Sequence, residues 1–273
     1  MENKNVVMLK HHPMNVKFTN TFYTNQVDDD LSDYVVVDVT SRVLRDKEFM
    51  SEHPRFALEL SPFFIGPVVA SDGATAFIFE HFWQCGKVYP CHYENGKLTP
   101  EFFKWREDWY NKRKTTDKNK TRHPNEELGY RASECIGNIY YENGEYRLLD
   151  YIESRKKIYF VEYAKLVYST DSFKYLKSIV DSGKKLALVD FDGFNYYSEN
   201  AMRKRYESYL NNCKKYGAKP TLAESDFTAI KTLNDAINCS FLAVGHGFVI
   251  KALLDGAIEV IDGKVVDHYG LLR

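Results

Sequence analysis

Apolar residues in this chain come in short bursts separated by polar stretches, and the spacing inside each burst predicts an element. Residues 34–39 (YVVVDV), 186–189 (LALV) and 241–244 (FLAV) are brief and continuous, as expected of buried strands. Helical spacing governs residues 75–89, 98–109, 146–168 and 172–182, the last followed by Gly183, a residue suited to the left-handed position after a helix. A polar helical insertion spans 199–237, its first helix closing at Gly217, and a short helix covers 248–254. Asp72-Gly73 and Asp262-Gly263 predict chain reversals, the second inside a hairpin over 258–266. Residues 1–33 are polar and mixed, with a solvated Asp28-Asp29-Asp30 run, and predict an extended lead-in or a pair of edge strands. The sum is an α+β chain: mainly helical, with a few short buried strands and a single domain over 34–273.

Composition narrows the class. Hydrophobic residues make up 44% of the 273 and charged ones 27%, which excludes disordered and fibrous proteins. A net charge of -1 excludes a general electrostatic grip on nucleic acid and leaves room only for a local basic surface. That surface has one candidate, 111–123 (NKRKTTDKNKTRH), whose plain reading is a solvated loop. Its functional reading is a phosphate-contacting arm at 112–122 over DNA, RNA or a dinucleotide. Five Cys at irregular spacing predict reduced thiols and a cytoplasmic setting. No apolar run approaches the ~20 residues of a membrane span, so no membrane partner is expected. Cys85, Cys91 and His92 lack a second pair of ligands, and neither a metal nor any other cofactor is expected.

The densest chemistry lies in 60–89. On a helix, Glu80, Trp83, Gln84 and Lys87 share one face, while Phe79, Phe82 and Cys85 turn to the other. A carboxylate, an indole, an amide and an ammonium on one stripe make either a pocket wall or an ordinary solvated face. Elsewhere, the strand at 34–39 delivers Asp38, Thr40, Ser41 and Arg42 to its C-terminal end. There Thr40 or Ser41 either caps the next turn or meets a ligand. Arg131 is either a bidentate phosphate clamp or half of a buried ion pair. The strand at 186–189 presents Asp190, Asp192 and Asn195 in a Gly-containing loop. Gly245-His246-Gly247 opens a helix with backbone N–H groups that can face an anion.

The segment LSPFFIGPV, then Asp72-Gly73, then FEHFWQCGKVY resembles the N-terminal signature of the NADAR or YbiA-like N-glycosidases. Leu60, Ser61, Phe63, Pro67, Asp72, Gly73, Glu80, His81, Gln84 and Lys87 fill its pattern. Weaker matches at 38–41, 154–167 and 243–254 spread the resemblance over most of 34–255, pointing to a phage and bacterial branch related to that superfamily. The Trp-Gly sequence of many members is absent, which removes the basis for carrying over their ribose contacts.

The resemblance implies a YbiA-like domain that cleaves an N-glycosidic bond in an ADP-ribosylated or otherwise modified nucleotide. The implied roles are acid–base work for Glu80 and cation stabilisation or water activation for Asp190 or Asp192. Lys87 either pairs with Glu80 or a phosphate, or attacks an opened ribose as an amine. Ser41, Arg42, Ser61, Phe63, His81, Trp83, Gln84, Arg131, Asn195, Gly245, His246 and Gly247 are the expected substrate contacts. Two rival classes remain: a non-catalytic binder of ADP-ribose-like nucleotides, and a transferase in phage DNA base modification.

Overall fold

The computed structural model describes residues 5–10, 31–40, 56–112 and 121–273. Ser41, Arg42, the Asp28–Asp30 run and positions 113–120 of the basic stretch lie outside the described residues. The chain is mixed α+β, about 44% helical and 20% strand, with its strands in small sheets. Among the described residues no helix is long and apolar enough to cross a membrane.

A three-stranded parallel sheet anchors the fold. Strand β1 (Val6–Lys10) and strand β2 (Tyr34–Asp38) flank a central strand, Lys185–Asp190. The register sets Lys10 opposite Asp190 and Asp38 opposite Val189. All three strands therefore end at the same edge. Successive side chains point to opposite faces: Val6, Met8, Leu186 and Leu188 join the main core, while Val7, Leu9, Ala187 and Val189 form a second cluster with Leu31. Val6–Lys10 lies inside the expected lead-in, yet its first four residues are buried. Gly193 turns the chain tightly over this strand, since a Cβ there would sit 2.1 Å from the Leu9 carbonyl oxygen.

The helix expected over 75–89 is shorter than its pattern. Strand β3 (Val68–Val69) and strand β4 (Thr75–Ala76) pair around Gly73 at φ 86°; helix α1 covers Phe79–Cys85, and Lys87–Val88 is again extended. Ladder pairing at both ends took residues that isolated helical spacing would have kept. Helix α2 (Pro100–Tyr110) matches the expected 98–109 to within two residues, with Pro100 in its first turn, where a missing N–H leaves no bond unmade.

Two further expectations need correction. Residues 146–149 are not helical: strands Gly137–Glu142 and Glu145–Leu149 pair around Asn143-Gly144, both at positive φ (54° and 88°). An Asn-Gly turn of this type fixes hairpin register, and it outweighs the helical spacing that follows. The helix begins only at Tyr151, where Asp150 caps it by accepting from the Glu153 N–H at 2.8 Å. It then runs through a π-helical stretch, Arg155–Phe160, to Val167. Residues 241–244 form no strand; Leu242 and Val244 are buried in an irregular segment leading into helix His246–Leu254. The polar region after Ser198 holds helices Glu199–Lys215, Glu224–Thr228 and Leu233–Asn238.

Candidate functional site

The site forms where the parallel strands end. In parallel sheets this edge collects loops and helix N-termini, and ligand crevices lie outside it. Here a cavity of about 140 Å³ is lined by Glu80, Trp83 and Gln84 of α1, by Asp190, Phe191 and Asp192 after the central strand, and by Gly245 and His246. Phe63, Arg122, Tyr151, Arg155 and Tyr159 complete most of its wall. Residues more than 100 positions apart in sequence thus meet in one concavity.

Helix α1 supplies a hydrogen-bonded row. Lys87 Nζ donates to Gln84 Oε1 at 2.7 Å, and Gln84 Nε2 donates to Glu80 Oε1 at 2.9 Å. Both neighbours fix the same orientation of the amide. Glu80 is 6% exposed, and burial pushes its carboxyl upward against the opposing pull of Gln84, Lys87, Arg122 and His246. Trp83 packs edge-on against Tyr159, ring centroids 5.0 Å apart, with the Lys87 ammonium 5.4 Å from its own ring centre.

Asp190 is anchored on both oxygens. Oδ1 accepts from the Phe191 N–H at 2.7 Å and Oδ2 from the Gly247 N–H at 2.9 Å, with His246 Nδ1 at 3.5 Å. His246 Nε2 lies 2.7 Å from the Val39 carbonyl, so it donates there and ties this helix to the end of β2. The approach depends on glycine: a Cβ at Gly245 or at Gly247 would stand 2.9 Å from Asp190 Oδ2. Asp192 is pushed upward by burial and then by the Asp190 charge, with Arg122, Lys10 and Arg205 opposing.

Several expected contacts stand elsewhere. Gly247 offers no N–H to a ligand anion, because Asp190 occupies it and serves as the carboxylate at this helix N-terminus. Lys87 is not among the lining residues; it stands behind Gln84, and burial lowers its ammonium. Its ammonium is directed to the Gln84 amide rather than to the wall of this cavity. Ser61 is fully buried and holds a turn, its Oγ accepting from the Phe63 N–H at 3.3 Å. His81 is buried between the Lys112 carbonyl, 3.1 Å from Nδ1, and the Trp109 ring, and burial lowers it to about 4. Asn195 is buried in a turn, accepting from the Tyr197 N–H at 3.1 Å. Arg131 is exposed in a short 3₁₀ turn and forms neither cavity wall nor buried pair.

Other wall residues were not singled out from the sequence. Arg155 is 2% exposed and donates to four main-chain carbonyls, those of Ala236, Ile237, Cys239 and Leu242. It holds the segment leading to Gly245. The signal was an arginine among the apolar positions of a helix, which snorkels when exposed and needs carbonyl partners when buried. Tyr159 belongs both to the core and to the wall. Among the described residues no group of three or more His, Cys, Asp or Glu side chains is placed to hold a metal ion.

No protein-family model matches the chain, and searches of curated protein sequences and of solved structures found no significant match.

Proposed function

We propose that the protein is an N-glycosidase-type hydrolase that cleaves the base–ribose bond of an ADP-ribosylated or otherwise modified nucleotide. One observation carries this reading: Glu80 from a helix and Asp192 from a strand end line a single aromatic-walled cavity. Cleavage of such a bond needs a proton for the departing base and a base for water at an oxocarbenium-like carbon. Two carboxyl groups in unlike surroundings suit those two tasks.

Glu80, raised by burial, delivers its proton to the base nitrogen as the C1′–N bond breaks. Asp192, raised by burial and by Asp190, takes a proton from water as the water oxygen bonds to C1′. The products are the free base and a ribose hydroxyl; the proton on Asp192 leaves to solvent, and Glu80 takes one up. Asp190 acts as a positioning residue, because both its oxygens are committed to backbone N–H groups. Trp83, Tyr159 and Phe191 provide ring surfaces for the base, and Arg122 supplies positive charge for phosphate. If the substrate is DNA or RNA, 112–122 is the segment that would follow its backbone. Five free thiols suit the reducing cytoplasm as the setting.

The test is base release from ADP-ribosylated guanosine, from hydroxymethylated or glucosylated nucleotides and from NAD, comparing wild type with Glu80→Gln and Asp192→Asn. Release by wild type and a loss of at least about 100-fold in each variant is expected. Undiminished release by both variants overturns the assignment. Calorimetric binding without turnover makes the protein a binder instead.

A further inference from the structure

Trp83 also forms part of a second, smaller cavity of about 30 Å³. Its polar groups are unusual. Arg106 on α2 is 6% exposed; its Nη2 donates to Asp72 Oδ2, but its Nη1 is buried and, among the described residues, meets no acceptor. The rings of Phe102, Phe103 and Tyr110 surround the guanidinium carbon at 5.4–5.7 Å, so water has little access from that side. A buried donor left unsatisfied is costly, which marks the position as one that an acceptor fills. Asn138, 4% exposed, lines the same space with an amide able both to donate and to accept.

Charge decides the kind of acceptor. Asp72 already neutralises Arg106 within the buried set, and it also accepts from the Tyr146 hydroxyl at 2.9 Å. The other charged wall residues are matched on their own helix, Lys157 with Glu153 and Glu162 with Lys165. An incoming anion would lose its hydration without gaining a net positive charge. A neutral sp² oxygen meets no such penalty. Phe82, Trp83, Tyr110 and Tyr140 give the space aromatic walls, which favour a planar group, and the volume suits only a few heavy atoms.

We propose that this cavity is a second ligand site, taking a small neutral carboxamide group whose oxygen accepts from Arg106 Nη1 and whose remaining polar atoms face Asn138. Because Trp83 belongs to both walls, occupancy is sensed at the acidic cavity. The site stands independently of the glycosidase reading. Formamide is the probe, titrated in parallel with formate, with the Arg106 guanidinium and Trp83 indole resonances as readouts. Saturable shifts with formamide, at least about 10-fold tighter than with formate, are expected. Arg106→Lys keeps a cation for Asp72 and removes the forked nitrogen; it should weaken formamide binding at least about 10-fold while leaving Tm close to wild type. Absence of saturable shifts with formamide leaves the cavity to water and overturns the proposal, as does formate binding equally well or Arg106→Lys binding unchanged. Should that variant fail to fold, Asn138→Ala carries the same test, with weakened binding supporting the site and unchanged binding refuting it.

Discussion

Glu80 and His81 are neighbours on one helix turn, both buried, and burial acts on them in opposite directions. For Glu80 the folded state holds its proton more tightly than the unfolded chain does. Its contribution to stability is therefore present below the unfolded carboxyl range near pH 4.5 and is lost as pH rises through the folded value. Replacing it by Gln removes that loss. Thermal melts between pH 4 and 8 should show Glu80→Gln gaining on wild type as pH rises, even as activity falls. His81 is held neutral, lowered from 6.5 to about 4. Stability is lost there as pH falls from 6.5 toward 4, because the unfolded chain binds the proton first. Urea unfolding at pH 7 and pH 4.5 should show wild type losing on the order of 2–3 kcal/mol more than His81→Gln across that interval. Residue chemistry was legible at Glu80, since the sequence put a carboxylate beside aromatics. His81 was not, because adjacency on a helix hides the fact that neighbours face different surroundings.

At the level of elements, the acidic cavity depends on the segment from Leu233 to Leu254. Arg155 satisfies four of its carbonyls, and Gly245 and Gly247 let its helix approach Asp190. Arg155→Leu strands those carbonyls in the interior, and denaturant melts should show a loss of at least about 3 kcal/mol. Gly247→Ala places a Cβ 2.6 Å from Met8 Cε and 2.9 Å from Asp190 Oδ2. Overpacking of this kind costs about 1–3 kcal/mol, and base release should fall with it; Gly183→Ala, strained at φ 80° but meeting nothing within 4 Å and remote from the cavity wall, should lower Tm yet leave base release unchanged. Calorimetric Tm and the release assay check both. The existence of most helices was readable from apolar spacing. Their ends at 75–89 and 146–150 were not, because β pairing competes for the same residues and its partners lie far along the chain.

Across the whole molecule, the first described strand is held by the last long one. Val6, Val7, Met8 and Leu9 are all buried against a central strand about 180 residues later, and Lys251 Nζ donates to the Val6 carbonyl at 2.6 Å. Burying such side chains contributes about 1.5–3 kcal/mol each, a total comparable with the ~5–15 kcal/mol that holds a domain folded. Deletion of residues 1–10 should therefore abolish the cooperative thermal transition seen by circular dichroism. A preserved transition would show the strand to be dispensable.

The amino-acid order alone determined the local periods: strands near 34–39 and 186–189, the glycines that end turns, the helix near 98–109, and the stripe at Glu80, Trp83 and Gln84. These follow from side-chain shape and from contacts a few residues apart. Only the tertiary structure decided that Lys87 stands behind Gln84, that Asp190 is spent on backbone N–H groups, and that Arg155 and Arg106 are interior. Each of those depends on which distant carbonyl, carboxylate or ring arrives at the same place. Local spacing carries no information about that meeting; parallel pairing of β1 and β2 with the strand ending at Asp190 does.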